Sequence, residues 1–333
     1  MMHRRQFLMS SGLLSSLGIS RSQNRNGADL DPEFQKPLSA RGQRLAQIAH
    51  SLRVVRDIPF ANRSQRTLRL DVYAPAKKHR KPLPAILRFG VAAWRSQTKD
   101  FRINLDHLLA APTPNLFAPV MVPQGFIVVS AECRVASEAR FPSQVHDCKC
   151  AVRWMRAHAK EFGIDPERIG IMGASASGHL AALVAVTGAN DAMEEDSCYS
   201  GYSSRVQAAY CFAGMYDFDF YESNRGDGTL WPQIKDFLGG TFEKDPDVYR
   251  RASPKNYVTR DDPPFLLMHG IQDGRVPYDQ TPRFAECLQG AGVPVDFVSI
   301  NNYQHGPIPG KESEPGYAVL DDRIFRFFRR SLG

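Results

Sequence analysis

The sequence predicts an α/β fold in which a mostly parallel sheet is covered by helices on both faces. Three observations lead there: short apolar runs of buried-strand type recur along the chain, helical patterns separate them, and no internal repeat or low-complexity tract interrupts the alternation. Alternation implies parallel pairing because a parallel neighbour is reached only through a crossover, usually a helix. At 333 residues the chain has room for one large domain, and one domain is the economical reading.

In chain order, residues 41–52 read as a short helix, and strands begin to alternate with helices from Val54. Residues 68–73 (LRLDVY) alternate apolar and polar, as a half-buried strand does. Residues 85–89 (AILRF) and 126–130 (FIVVS) are apolar runs of the buried type. Residues 143–162 carry Val145, Val152, Trp154, Met155 and Ala159 at helical spacing among charged residues. Gly163 stops that helix, and Asp165-Pro166-Glu167 reads as a turn. Residues 168–172 (RIGIM) form the next strand and 176–186 the next helix. Residues 206–212, 264–268 and 293–300 read as further strands with helices between them.

Composition narrows the class. With 43% apolar and 23% charged residues the chain is neither disordered nor fibrous. The net charge of +7 comes without a Lys/Arg block interleaved with aromatics, so it reads as solubility and not as a nucleic-acid footprint. Residues 1–20 differ from the rest: Arg4-Arg5 precede a brief apolar stretch that is too short to cross a bilayer of roughly 30 Å. A charged start, a short apolar core and small residues describe an export signal, and Arg4-Arg5 with Gln6-Phe7-Leu8 resembles a bacterial twin-arginine signal. A periplasmic or extracellular destination without stable membrane insertion is expected. Residues 21–52 then read as a linker and the short helix, and residues 53–333 as the main domain. Cys133, Cys148, Cys150, Cys198, Cys211 and Cys287 have no zinc-site spacing. Mostly buried free thiols are expected, with room for one disulfide whose pairing cannot be deduced.

The chemistry concentrates at Gly173-Ala174-Ser175-Ala176-Ser177-Gly178-His179, between a predicted strand and a predicted helix, the setting of a nucleophile elbow. A serine presented on so sharp a turn needs tiny neighbours two residues away. Gly173 meets that demand, whereas Ser177 stands where glycine is usual. The helix starting at Ala176 aims amides and the positive end of its dipole at the reaction centre. Two other readings share the pattern. A dinucleotide loop needs G-x-G-x-x-G, a spacing this stretch lacks. A plain tight turn with a surface serine is the other.

The downstream partners strengthen the elbow reading. A hydrolase of this architecture orders its triad serine, acid, histidine. Residues 267–273 (LMHGIQD) read as a strand entering a polar turn, so Asp273 lies at a strand's C-terminal end, the edge where open α/β sheets build sites. Residues 301–306 (NNYQHG) form a loop after the next strand and bring His305 to the same edge. His305 then takes the proton from Ser175 and returns it to the leaving group, while Asp273 holds the imidazole tautomer and stabilises its charge. The other histidines fit less well: His179 lies inside the helix after the elbow, His269 within a strand, and His146 before a helix. There is no H-E-x-x-H and no H-x-E paired with C-x-x-C, so no metal and no cofactor are expected.

From about Leu70 onward the chain resembles the bifunctional acetylxylan/feruloyl esterase branch of the α/β hydrolases, near the acetyl-esterase and hormone-sensitive-lipase-like enzymes. The matching stretches are residues 70–75 (LDVYAP), 141–147, 151–154 (AVRW), 162–170 (FGIDPERIG), the elbow through 179–183 (HLAAL), 262–270 (DPPFLLMHG) and 276–280 (VPYDQ). The resemblance implies an α/β-hydrolase fold with little or no separate cap, with Ser175, Asp273 and His305 at the triad positions. It also implies a structural ion pair between Arg134 and Asp147. One departure concerns the family's His-Gly-Gly-x-Trp, which here reads Phe89-Gly90-Val91-Ala92-Ala93-Trp94. Its glycines let backbone amides approach the oxyanion. Val91 or Ala92 can still donate alongside Ala176 if φ stays negative; losing one donor costs roughly 2.7–4 kcal/mol of barrier, or about 10²–10³ in rate.

These features predict ester hydrolysis through an acyl-serine. The resemblance points to an acetyl or aromatic ester of a small molecule or polysaccharide. Trp94, Tyr216 and Trp231 are expected to line the substrate pocket. Two alternatives stand beside it: an amidase or peptidase, including a kynurenine-formamidase-like enzyme, and a hydrolase-fold binding protein impaired by its altered oxyanion loop. The oligomeric state is left open.

Overall fold

The apolar runs become strands of one twisted sheet. The computed structural model describes residues 52–77, 79–97, 121–188, 193–194, 198–308 and 310–333. The expected export signal and linker lie outside these residues. So does the predicted helix at 41–52, except for Leu52, which opens a strand instead.

The main strands are β1 (Leu52–Asn62), β2 (Thr67–Pro75), β3 (Leu83–Phe89), β6 (Ile127–Ala131), β7 (Ile164–Ala174), β8 (Ala208–Phe212), β9 (Phe265–Gly270) and β10 (Val295–Ile300); β4 (Val91–Ala92) and β5 (Ser96–Gln97) make a small separate hairpin. The eight-stranded order is β1-β2-β6-β3-β7-β8-β9-β10. β1–β2 and β2–β6 pair antiparallel, and every pair from β6 to β10 is parallel. Five crossovers of one kind therefore bring the C-terminal ends of β3, β7, β8, β9 and β10 to a single edge.

Period-two alternation sorts side chains between two cores. Leu87, Ile171, Cys211 and Leu267 face α1 (Ser143–Ala157) and α3 (Ala176–Val186), while their neighbours Ile86, Met172, Tyr210 and Leu266 face α8 (Tyr317–Leu332). α8 presents Leu320, Ile324 and Phe328 on one stripe, each fully or almost fully buried, and each such side chain contributes about 1.5–3 kcal/mol. The remaining helices are α2 (Ala159–Phe162), α4 (Phe218–Ser223), α5 (Trp231–Leu238), α6 (Pro246–Ala252) and α7 (Gln280–Gly290). Among the described residues no helix is long and apolar enough to cross a membrane.

Two elements differ from expectation. The helix predicted over 143–162 breaks at His158, whose ring Nδ1 bonds back to the Trp154 carbonyl at 3.0 Å. Gly163 does cap it, in the left-handed region at φ 77°. The predicted turn at Asp165-Pro166-Glu167 falls inside β7: the ladder runs from Ile164 to Ile169 on β7 while β3 advances only from Leu83 to Ala85. The surplus residues are accommodated as a bulge, braced by Arg168 Nε on Asp165 at 2.8 Å. His146 lies within α1 and not before it.

Covalent and ionic ties fix the loops around this frame. Cys150 of α1 pairs with Cys198; Cys133, Cys148 and Cys211 are buried thiols and Cys287 is an exposed one. Asp147 receives Arg134 through Nε at 2.8 Å and Nη2 at 2.9 Å, and Arg63 through Nε at 2.8 Å. The expected Arg134–Asp147 pair thus holds the loop after β6 against α1.

Candidate active site

Ser175 separates the last residue of β7 from the first of α3, with φ 55° and ψ −123°. For a residue with a side chain that backbone costs about 1–3 kcal/mol and persists only if its surroundings enforce it. Here they do. Ser175 N–H donates to the Phe212 carbonyl at the end of β8 at 2.8 Å, and the Ser175 carbonyl accepts from His179 N–H at 2.9 Å to start α3. Gly173 is obligatory, since a Cβ there would overlap the Ser177 carbonyl. Ser177 is tolerated because its side chain reaches toward residues 89–91.

Asp273 follows β9 and His305 follows β10, so both stand at the edge that carries Ser175. His305 Nδ1–H donates to Asp273 Oδ2 at 2.7 Å. The same oxygen accepts from His269 Nε2–H at 3.0 Å, and Oδ1 accepts the amides of Arg275 at 2.9 Å and Val276 at 3.0 Å. Burial by itself raises the pKa of this carboxyl, but the bonds from His269 and His305 outweigh it and hold Asp273 well below the usual carboxylate range. An ionised Asp273 on Nδ1–H leaves Nε2 as the basic nitrogen of His305. Gly270 lets the His305 loop cross closely, because a Cβ there would overlap the carbonyl oxygens of Gln304 and Tyr303.

His269 is the member that sequence reasoning passed over. It is fully buried, and its Nδ1 accepts from the Thr281 hydroxyl at 2.6 Å, so the ring fixes the acid from below. The available signal was a polar ring inside an otherwise apolar strand, since a buried imidazole must find partners.

The oxyanion loop differs in one respect from expectation. Val91 and Ala92 both avoid the left-handed region, and positive φ falls on Ala93 (47°) and Trp94 (55°) instead. Ala176 is the first residue of α3, so its amide has no acceptor within the helix. Val91 N–H, however, donates to Ser177 Oγ at 3.2 Å. The Ser177 hydroxyl thus engages the amide of one of the three expected donors.

Of the three aromatics expected around the substrate, two are core. Trp94 is 1% exposed, stacks on Phe237 at 5.0 Å and donates Nε1–H to His179 Nδ1 at 3.1 Å. Tyr216 is 0% exposed and stacks on Phe284 at 4.4 Å. It borders a groove of about 330 Å³ with Asp217, Lys255, Gln280 and Arg283, whose lining includes neither Ser175 nor His305. Large rings at these positions fill space between layers instead of facing substrate. Trp231 is half-buried beneath the Arg225 guanidinium, 3.7 Å from its ring centre. The loop before it reaches the acid turn, where Asp227 N–H donates to the Gly274 carbonyl at 2.6 Å. No group of three or more His, Cys, Asp or Glu among the described residues is arranged to hold a metal.

A parallel-sheet edge with a strained serine elbow after β7 and an Asp–His pair on the loops after β9 and β10 defines an α/β hydrolase. Within that class, the sequence profile of the BD-FAE family matches residues 70–288, and the chain belongs to this family. Esterase LipC of Mycobacterium tuberculosis is 31% identical over 245 residues, covering 71% of this chain and 56% of LipC. Esterase LipQ of the same organism is 29% identical over 256 residues, covering 75% and 56%. The chain thus spans a little over half the length of these curated relatives. Among solved structures, a truncated carbohydrate esterase from gut microbiota superposes with a TM-score of 0.68 at 27% identity over 84% of this chain and 95% of that one. Thermogutta terrifontis esterase 2 phosphoramylated by tabun gives 0.64 at 25% identity, over 84% and 94%.

Proposed function

We propose that the chain is a serine carboxylesterase in which Ser175, Asp273 and His305 act as the triad. His305 Nε2 takes the Ser175 Oγ proton as Oγ attacks the ester carbonyl, and returns it to the departing alkoxide. The acyl-serine is then hydrolysed by water that His305 activates in the same way. Asp273 stays ionised throughout and balances the imidazolium. The amides of Ala176 and Ala92 bind the developing oxyanion. The observation that carries this reading is the 2.7 Å bond from His305 Nδ1 to Asp273 on the sheet edge that also holds the strained Ser175.

The substrate is an acetyl or feruloyl-type ester on a carbohydrate. Membership of the BD-FAE family and likeness to a carbohydrate esterase support that choice. So does the twin-arginine-type start, which suits an enzyme exported to polymeric substrates. Trp231, with Arg225 on its face, is the aromatic left to contact the sugar. The test is turnover by the purified protein on acetylated xylan, methyl ferulate, an activated acetyl ester, a formamide and a peptide. Turnover of the esters with none of the amides is expected. Faster cleavage of the formamide or peptide sinks the ester assignment.

A further inference from the structure

We infer that Ser177 is a positioning residue for the oxyanion loop: its hydroxyl clamps the backbone of residues 89–91 to the first turn of α3, and thereby aims the Ala92 amide. This rests on the reading of Ser175 as nucleophile. The Ser177 side chain is buried at 4% exposure, two residues after Ser175. Its Oγ accepts Val91 N–H at 3.2 Å and lies 2.9 Å from the Val91 carbonyl oxygen and 3.0 Å from that of Phe89, to one of which the hydroxyl donates. All three contacts go to one loop. Because the hydroxyl proton is committed to a carbonyl, Ser177 is a tether and not a second nucleophile.

The loop needs such a tether. Its turn consists of two successive left-handed residues with side chains, Ala93 and Trp94, a conformation that survives only when its ends are held. The far end is held by Trp94, through Nε1–H to His179 at 3.1 Å and through its carbonyl to Ala136 N–H at 2.7 Å. The near end is held by Ser177. Both α3 anchors sit on the turn that carries the nucleophile, so the loop is referenced directly to Ser175. Removing the hydroxyl takes from the buried Val91 amide its bond to α3 and cuts the tie to residues 89–91, so the loop is free to shift. A displacement on the order of 1 Å in such a constellation costs up to about 10²-fold in rate.

The experiment compares wild type, Ser175→Ala, Ser177→Ala and Ser177→Cys on a short activated acetyl ester, with thermal melts of each. For Ser177→Ala, kcat is expected to fall about 10- to 100-fold with KM unchanged. The affinity of an alkylboronic acid, whose tetrahedral adduct carries the oxyanion, should fall in step with kcat. Inhibition by the uncharged product alcohol should not change. If Ser177→Ala does not fold, Ser177→Cys, which keeps the side-chain shape but puts a larger, weakly hydrogen-bonding sulfur between the same carbonyls, is expected to lose kcat with KM unchanged. Full or increased kcat in a folded Ser177 variant overturns the inference. Persistent activity in Ser175→Ala overturns instead the reading on which it rests.

Discussion

Acidification should weaken this fold through one buried imidazole. His179 is fully buried on α3, with Nδ1 accepting from Trp94 at 3.1 Å and Nε2–H donating to the Ala252 carbonyl at 2.8 Å. Only the neutral ring can do both. Burial pushes its pKa down from 6.5 to about 4, and the bond to Ala252 opposes that only in part. The unfolded chain therefore takes up the proton near pH 6.5 and the native one near 4, so in between the unfolded state binds more protons and acid favours it. At about 1.36 kcal/mol per unit this amounts to about 3 kcal/mol lost between pH 7 and pH 4. Asp262 titrates in the same window with the opposite sign: burial raises its pKa to about 6, so its native form gains as the pH falls. The informative quantity is thus a difference of differences. His179→Gln keeps one acceptor and one donor and does not titrate. Urea unfolding of both proteins at pH 7 and pH 4 should show the wild type losing about 3 kcal/mol more than the variant. Equal losses would refute the assignment of a neutral, doubly bonded His179.

Two further outcomes are expected. Gly173→Ala drives a methyl group into the Ser177 carbonyl, a backbone atom that cannot swing aside. It should cost about 1–3 kcal/mol or more in a thermal melt and abolish ester turnover, whereas a wild-type melt with full turnover would contradict the elbow geometry. The Cys150–Cys198 disulfide closes a span of 48 residues, so the Cys150→Ala, Cys198→Ala double variant should lose about 4 kcal/mol of stability in urea under oxidising conditions. Reductant should then lower the wild type's stability but not the variant's.

Much of the frame was readable as a pattern. The period-two alternation at β2, the continuous apolar runs at β3 and β6 and the helical spacing across α1 were all legible, because each pattern follows from burial. Asp273 and His305 were legible because strand ends and polar turns announce the functional edge of a parallel sheet. What escaped were features decided across long sequence separations. Asp165-Pro166-Glu167 has turn chemistry, yet β3 alongside it imposes strand pairing and leaves those residues as a bulge. Trp94 and Tyr216 advertise large rings, but composition does not say whether a ring faces a cleft or Phe237 and Phe284. The role of His269 depends on Thr281, a partner on the next helix. The Val91 amide keeps a negative φ and yet bonds Ser177, which stands in a glycine's place and brings a competing acceptor that the local sequence does not announce.

The nucleophilic role of Ser175 is tested most directly by covalent capture. The full chain should be incubated with a fluorophosphonate, digested and mapped by mass spectrometry, alongside Ser175→Ala and His305→Ala. A single adduct on the peptide carrying Ser175, absent from Ser175→Ala and much slower to form in His305→Ala, is the result predicted. An adduct on another residue, or ester hydrolysis that continues in Ser175→Ala, would contradict it.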